Sequence, residues 1–525
     1  MSENNTDTLP NGWSFAFLGE IAEINPSTTV HIEEESTQVN FVPMRAVSPE
    51  GGGLTDPEIR PYGEVKRGFT SFISGDVIMA KITPCMENGK TTVVPELPGS
   101  ICFGSTEFHV LRAETGIRAS WISHFLLRHD LRRSAQRQMT GGVGQMRVPS
   151  AFLRAISIPV PPTMEQERIT DVLEELLSDL DAGVKALDRA EGKLEQYRAS
   201  VLKAAVQGYL TAAWRQQHSE VNSGSELLER ILVERRQLWE REQLQKFQVS
   251  KKHPPTNWKA RYKEPVAPDT RGLPELPENW CWSSAEQICT FITKGTTPSG
   301  SDAPSQSGEV PFIKVQHLSS DGSFHFDKTP SFVSAIIHNK FLARSRVLPG
   351  DVLMNIVGPP LGQVSVVPLD FPESNMNQAI AVFRGLSGVS NRYLATCLST
   401  HSILVNALRK AKATAGQVNL TLEICRELPI PLPPFEEQGL IVKIIDSHLS
   451  TIDQLAKELT NKAAGTRTLK QAILKYAFAG QLLKQDPSDE PADILLKRIA
   501  AELEKRKSSS KKKPRPARKQ KRQQK

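Results

Sequence analysis

Cysteine is scarce: six in 525 residues, at positions 85, 102, 281, 289, 397 and 425, with no C-x-x-C pair among them. A structural zinc site needs two close pairs of ligands to preset its tetrahedron, so that class is set aside and reduced, buried thiols are expected. Long apolar runs are missing too. No stretch reaches the roughly 18 residues of a membrane span. Met1 to Pro10 is polar, without the apolar segment of a secretory signal. These absences predict a cytoplasmic chain that does not engage a membrane.

Catalytic signatures are absent as well. The nearest approach to a phosphate-binding loop is Gly89-Lys90-Thr91, but Pro84 stands where its first glycine belongs. Gly142-Val143-Gly144 continues as Gln145-Met146-Arg147 rather than as a dinucleotide fingerprint. Gly358-Pro359-Pro360-Leu361 lacks both the polar residue and the aromatic that an adenine methyltransferase uses to grip a flipped base. No H-E-x-x-H or G-x-S-x-G occurs. Asp56 with Glu64-Val65-Lys66 has the residue types of a nuclease site, at a spacing common by chance on charged surfaces. The chain is therefore expected to have no catalytic residues and no metal site. Binding or scaffolding is the expected role.

Charge is concentrated rather than spread. The net +7 depends on residues 505–525, which hold twelve basic residues and no acid; the remainder carries −5. Self-repulsion and a lack of apolar residues predict a disordered tail over 508–525, which could hold phosphates non-specifically.

The strongest positive signal is a repeat of about 270 residues, far longer than a solenoid unit. Leu9-Pro10-Asn11-Gly12-Trp13 returns as Leu276-Pro277-Glu278-Asn279-Trp280. Gly75-Asp76-Val77-Ile78-Met79 returns as Gly350-Asp351-Val352-Leu353-Met354, and Gly144-Gln145 as Gly416-Gln417. Ile158-Pro159-Val160-Pro161-Pro162 with Glu165-Gln166 returns as Ile430-Pro431-Leu432-Pro433-Pro434 with Glu437-Gln438. The copies then align without a gap to Leu210 and Leu482, and Leu227 to Ile231 is echoed by Leu495 to Ile499.

After each proline cluster the pattern is that of one long helix. Leu173, Leu180, Leu187, Leu194 and Val201 recur every seven residues, partnered three residues on by Leu176, Gly183, Ala190, Tyr197 and Ala204. The second copy carries Ile445, Ile452, Leu459, Thr466 and Ile473, with His448 and Lys462 interrupting the partner positions. A helix of about 45 residues is about 68 Å long and cannot bury such a stripe alone. The two helices are expected to pair as an antiparallel coiled coil, with Gly183 and Ala190 allowing close approach or receiving a larger residue.

The segments before the helices differ in character. Short β-branched and aromatic runs such as Ser71-Phe72-Ile73, Thr91-Thr92-Val93-Val94 and Val310-Pro311-Phe312-Ile313 alternate with turn residues. Each segment closes with one expected helix, over 120–133 and 391–412. The fold class is α+β, duplicated with pseudo-two-fold symmetry. The expected divisions are a recognition domain over 1–158, helices over 159–248, a linker over 249–271, a second recognition domain over 272–430, helices over 431–507 and the basic tail.

DNA contact is expected in two places per domain. Phosphates require clustered cations, and bases require residues with paired donors and acceptors. Residues 118–154 hold seven arginines against one acid, Asp130. There Arg132, Arg133 and Arg137 lead into the turn carrying Gln145 and Arg147; in the second copy Arg409, Lys410 and Lys412 lead to Gln417 and Asn419. The other place is the loop after the Gly-Asp-Val motif, with Lys81, Thr83, Asn88 and Lys90 in the first copy and Asn355 in the second.

Taken in order, the repeated L-P-x-x-W, G-D-V-[IL]-M, G-Q, P-x-P-P-x-x-E-Q and [VI]-L-K-x-A-x-x-G motifs resemble the specificity subunits of Type I restriction–modification enzymes, across the whole chain except the tail. Ala80 to Lys90 with Gly104 to Val110 is similar to one recurring version of that family's target recognition domain. The resemblance implies that each domain reads one half of a bipartite site in double-stranded DNA and that the helices set the gap. It also implies that the helices dock two modification subunits, which methylate adenine, and that restriction subunits join them. No cofactor is then expected in this chain; S-adenosylmethionine, ATP and magnesium belong to the partners. A coiled-coil scaffold with protein-binding domains is the alternative.

Overall fold

The computed structural model describes residues 9–99, 101–142, 144–358, 361–414 and 417–511, apart from the side chains of 406, 410, 412–414, 417, 418, 507 and 509–511. Contacts divide the chain into two units, Met1–Arg189 with Leu459–Lys525, and Ala190–Glu458.

Among the described residues the first unit's globular part contains ten strands: β1 (Ser14–Phe17), β2 (Ala22–Ile24), β3 (Gln38–Val42), β4 (Glu58–Pro61), β5 (Thr70–Ile73), β6 (Val77–Ala80), β7 (Thr91–Val93), β8 (Ile101–Gly104), β9 (Phe108–Ala113) and β10 (Ser157–Val160). They form two four-stranded sheets, β2-β9-β6-β7 and β4-β3-β8-β5, with β1 paired to β10. Among the described residues only β3 and β8 run parallel.

The second unit repeats this plan with β11 (Cys281–Ser284), β12 (Cys289–Lys294), β13 (Val310–Ile313), β14 (Phe332–Val333), β15 (Arg346–Val347), β16 (Val352–Asn355), β17 (Val364–Val366), β18 (Ser374–Met376), β19 (Ile380–Gly385), β20 (Lys412–Thr414), β21 (Gln417–Asn419) and β22 (Pro429–Leu432). Its sheets are β12-β19-β16-β17 and β14-β13-β18-β15, and β11 pairs with β22. A parallel pair, β13 with β18, falls at the matching place.

The repeated motifs are the fastenings of this plan. Asp76 is buried, accepts from the backbone N–H of Ile73 at 2.9 Å, and holds Arg112 through both oxygens at 2.8 and 2.7 Å. Asp351 does the same with Leu348 and Arg384, at 2.7, 2.8 and 2.7 Å. Gln166 accepts from the N–H of Arg118 and donates to the Pro161 carbonyl; Gln438 accepts from Ser390 and donates to Pro433. The indole N–H of Trp13 donates to Glu165 at 3.0 Å, and that of Trp280 to Glu437 at 2.9 Å. Each motif thus satisfies buried polar groups where a strand, a turn and a long helix meet.

The long helices span Thr163–Val206 and Phe435–Phe478, 44 residues each, or about 66 Å. Lys470 pairs with Asp181 at 2.6 Å, and Arg198 pairs with Asp453. Burial of the seam is incomplete. Leu173, Val201, Ile445 and Ile452 are buried, but Tyr197, Leu455, Leu469 and Tyr476 remain 43–55% exposed. His448 answers Tyr197 with a hydrogen bond of 3.2 Å, which explains one interruption of the heptad. Gly183 is not a point of close approach: a Cβ there would meet nothing within 4 Å.

Three expectations are corrected here. The helix over 120–133 is two helices, Ala119–Leu126 and His129–Arg137, because Arg128 is extended (φ −61°, ψ 134°). Its counterpart breaks at Thr400, which is also extended, into Asn391–Ser399 and His401–Lys410. The segment read as a linker folds back on the helix Gly224–Val249, where Trp258 stacks on Trp239 at 5.9 Å and Tyr262 packs beside it. The helices after each long helix also exchange roles. Leu227 and Ile231 enter the second domain's core, and Leu495 and Ile499 of the helix Ala492–Lys511 enter the first. Gly388 and Gly116 receive Leu227 and Leu495 at equivalent positions, both at positive φ, where a side chain would be strained.

Of the expected tail, residues up to Lys511 continue this last helix, and 512–525 lie outside the described residues. None of the six cysteines is in a disulfide; burial pushes the Cys102 thiol up to about 11 and those of Cys289, Cys397 and Cys425 up to about 12. Among the described residues no helix is long and apolar enough to cross a membrane.

Candidate nucleic-acid interface

The two loops singled out in the first domain are sewn together by backbone hydrogen bonds. Thr83 N–H donates to the Met146 carbonyl at 3.0 Å, and Val148 N–H donates to the Lys81 carbonyl at 2.9 Å. Lys81 N–H donates to Glu107 at 2.9 Å, joining the loop to the start of β9. The turn is closed by two bonds between Thr140 and Arg147, of 3.0 and 2.8 Å. Gly141 is required there: it sits at φ +133°, and a Cβ would lie 2.7 Å from the Gln145 carbonyl oxygen.

The second domain repeats the stitching with other side chains. Leu420 N–H donates to Ile356 at 2.9 Å, and Ile356 N–H donates to Ala379 at 2.8 Å. Two backbone bonds thus recur at matching positions, and the residues around them differ.

The expected contact residues divide accordingly. Asn88, Arg133, Arg137, Gln145 and Arg409 are exposed, while Lys81 and Arg147 are half-buried. Arg133 and Arg137 make no ion pair among the described residues. Three others have structural attachments that correct their assignment. Arg132 is buried, with both Nη atoms on Glu50 at 3.0 Å and one also on the Glu87 carbonyl at 2.7 Å. Lys90 donates to the Met44 carbonyl at 2.9 Å. Asn355 is fully buried, and its oxygen accepts from Val357 N–H at 3.1 Å. Thr83 has a buried hydroxyl oxygen. Asn419, like Thr83, has a buried side-chain oxygen with no hydrogen-bond partner among the described residues. The side chains of Lys410, Lys412 and Gln417 lie outside the described residues.

The local charge count also misled. Arg118 pairs with Glu167, Arg128 with Asp130, Arg132 with Glu50 and Arg147 with Glu107. Three of those acids come from distant segments, which a count along 118–154 does not see. Glu107 and Glu50 are the residues missed. Glu107 holds Arg147 through both oxygens, at 2.8 and 2.9 Å, and that hydrogen bond keeps its carboxyl below the ordinary range. Beside it, burial lowers the pKa of His109, whose Nε2 faces the Val148 carbonyl oxygen at 2.8 Å. At the residues considered for a nuclease, Lys66 pairs with Glu35 instead. The described residues contain no group of three or more His, Cys, Asp or Glu side chains able to hold a metal.

Two copies of a two-sheet domain, each followed by a 44-residue helix and each with a two-loop edge of different residues, define a class of tandemly duplicated protein. The family described as the Type I restriction modification DNA specificity domain matches residues 10–187 and again 277–463, and the chain belongs to that family. It is 28% identical over 519 residues to the EcoEI specificity subunit of Escherichia coli, across 90% of this chain and 83% of that one. It is 27% identical to the EcoAI specificity subunit of Escherichia coli, across 90% and 82%. A chain from a structural study of complex assembly and conformational transition in a type I R-M system superposes with a TM-score of 0.63 at 20% identity, covering 90% of this chain and all of that one. That likeness concerns the fold.

Proposed function

We propose that this chain is the DNA-recognition subunit of a Type I restriction–modification complex, each globular domain reading one half of a bipartite site. The observation that carries this is the repeated loop edge: two backbone bonds recur at matching positions in both copies, while the residues at those positions are different. Exposed Arg133 and Arg137 beside the turn supply phosphate contacts that fix the domain on the duplex. The antiparallel helices set the gap between half-sites, and their half-exposed apolar stripe suits docking of two modification subunits.

In this reading the chain performs no chemistry and holds no cofactor. S-adenosylmethionine, ATP and magnesium act on the modification and restriction subunits, in the cytoplasm. The test is a genome-wide map of modified adenines with this gene intact and deleted. A gapped bipartite motif that vanishes on deletion is expected. A map that does not change, together with purified protein whose DNA binding is absent or insensitive to salt, would instead support the scaffold reading.

A further inference from the structure

Arg147 is held in a way that phosphate binding does not require. Its Nε and Nη2 donate to the two oxygens of Glu107 at 2.8 and 2.9 Å, and its Nη1 donates to the Gln145 carbonyl oxygen at 2.9 Å. A guanidinium has five N–H donors. Three are engaged, so one remains on each Nη. The side chain is 39% exposed, at the head of the joined loops and next to exposed Gln145. A phosphate accepts hydrogen bonds over a wide range of directions, and exposed Arg133 and Arg137, which make no ion pair among the described residues, are available to it. A guanidinium fixed at two sides, with one donor left on each Nη, is matched by a pair of acceptors at fixed separation. In the major groove that pair is O6 and N7 of guanine. Pinning the fork beforehand also reduces the rotamer entropy lost on contact.

We propose that Arg147 reads a guanine in the half-site bound by the first domain and that Glu107 is its positioning residue. This rests on the DNA-recognition reading above. The matching backbone bonds place Asn419 at the register of Arg147 and Ala379 at that of Glu107. The second domain has neither the fork nor its holder, so the two half-sites differ at this position.

The test is selection of bound duplexes from a random library by the full chain and its variants. The unaltered chain is expected to select guanine at one position of one half-site. Arg147→Lys keeps the charge and removes the fork; discrimination at that position should fall by roughly ten- to a hundredfold, with the other positions and the second half-site kept. Glu107→Gln should weaken preference at the same position without lowering affinity for random DNA, because it removes a negative charge. Other positions of the same half-site report that the domain remains folded. Preference retained in Arg147→Lys, or lost equally at every position, overturns the proposal. A parent chain that selects no sequence overturns the recognition reading itself, and this proposal with it.

Discussion

Glu165 and Glu437 occupy the same place in the two halves, each accepting an indole N–H from the tryptophan that opens its domain, yet they are held differently. Glu437 is fully buried and also accepts from Thr211 and Arg215, both at 2.5 Å. The neighbouring arginine of Glu165, Arg168, is instead paired with Asp489 at 2.5 Å. Burial raises the Glu165 carboxyl above the ordinary range, and Trp13 and Gln485 offset only part of that rise. One clasp is a buried ion pair and the other a carboxyl in a site that disfavours its charge. Duplication kept the shape of the joint and left its electrostatics free to diverge.

The comparison is most directly broken by Glu437→Gln. It leaves Arg215 in a site prepared for a carboxylate and should cost about 3 kcal/mol, read as earlier unfolding of the second unit by hydrogen exchange. A loss within experimental error would mean that Arg215 has another partner. Next come Asp76→Asn and Asp351→Asn. Their bonds match atom for atom, so each should cost about 2 kcal/mol and the two should agree within about 0.5 kcal/mol. A large difference would show that the halves are not equivalent where their hydrogen bonds are.

Glu165→Gln should be milder, within about 1 kcal/mol, with a sign set by pH. A carboxyl whose folded pKa is raised binds more protons folded than unfolded. Its stabilisation is therefore complete below the unfolded value and is lost as pH rises through the folded value. The glutamine mimics the protonated form, so at neutral pH the variant should match or exceed the parent chain, losing that advantage at acid pH. A variant less stable at neutral pH would show that the carboxylate is the preferred form. Smallest for stability are Arg133→Ala and Arg137→Ala, which should leave unfolding unchanged and each lower the salt dependence of DNA binding by about one phosphate contact. An unchanged slope would remove these arginines from the interface.

The repeat made much of this legible from residue order alone. The short strands and the two 44-residue helices follow from motifs that recur in the same order, whereas the meeting of the two loops at one edge does not. What escaped depends on distant partners. Arg132 and Arg133 are adjacent and chemically identical, yet one is buried on Glu50, 82 residues away, and the other is exposed. The break at Arg128 carries no glycine or proline to announce it. The exchange of terminal helices was visible only as the echo of Leu227 to Ile231 by Leu495 to Ile499, because local pattern does not say which core a helix completes.

The central claim is that each domain reads its own half of the site. It is tested most directly by replacing residues 9–158 with those of a family member of different target and selecting bound duplexes with the full-length chimera. The account predicts that one half-site changes while the other half and the gap between them persist. Two unchanged halves, or two altered ones, would contradict it.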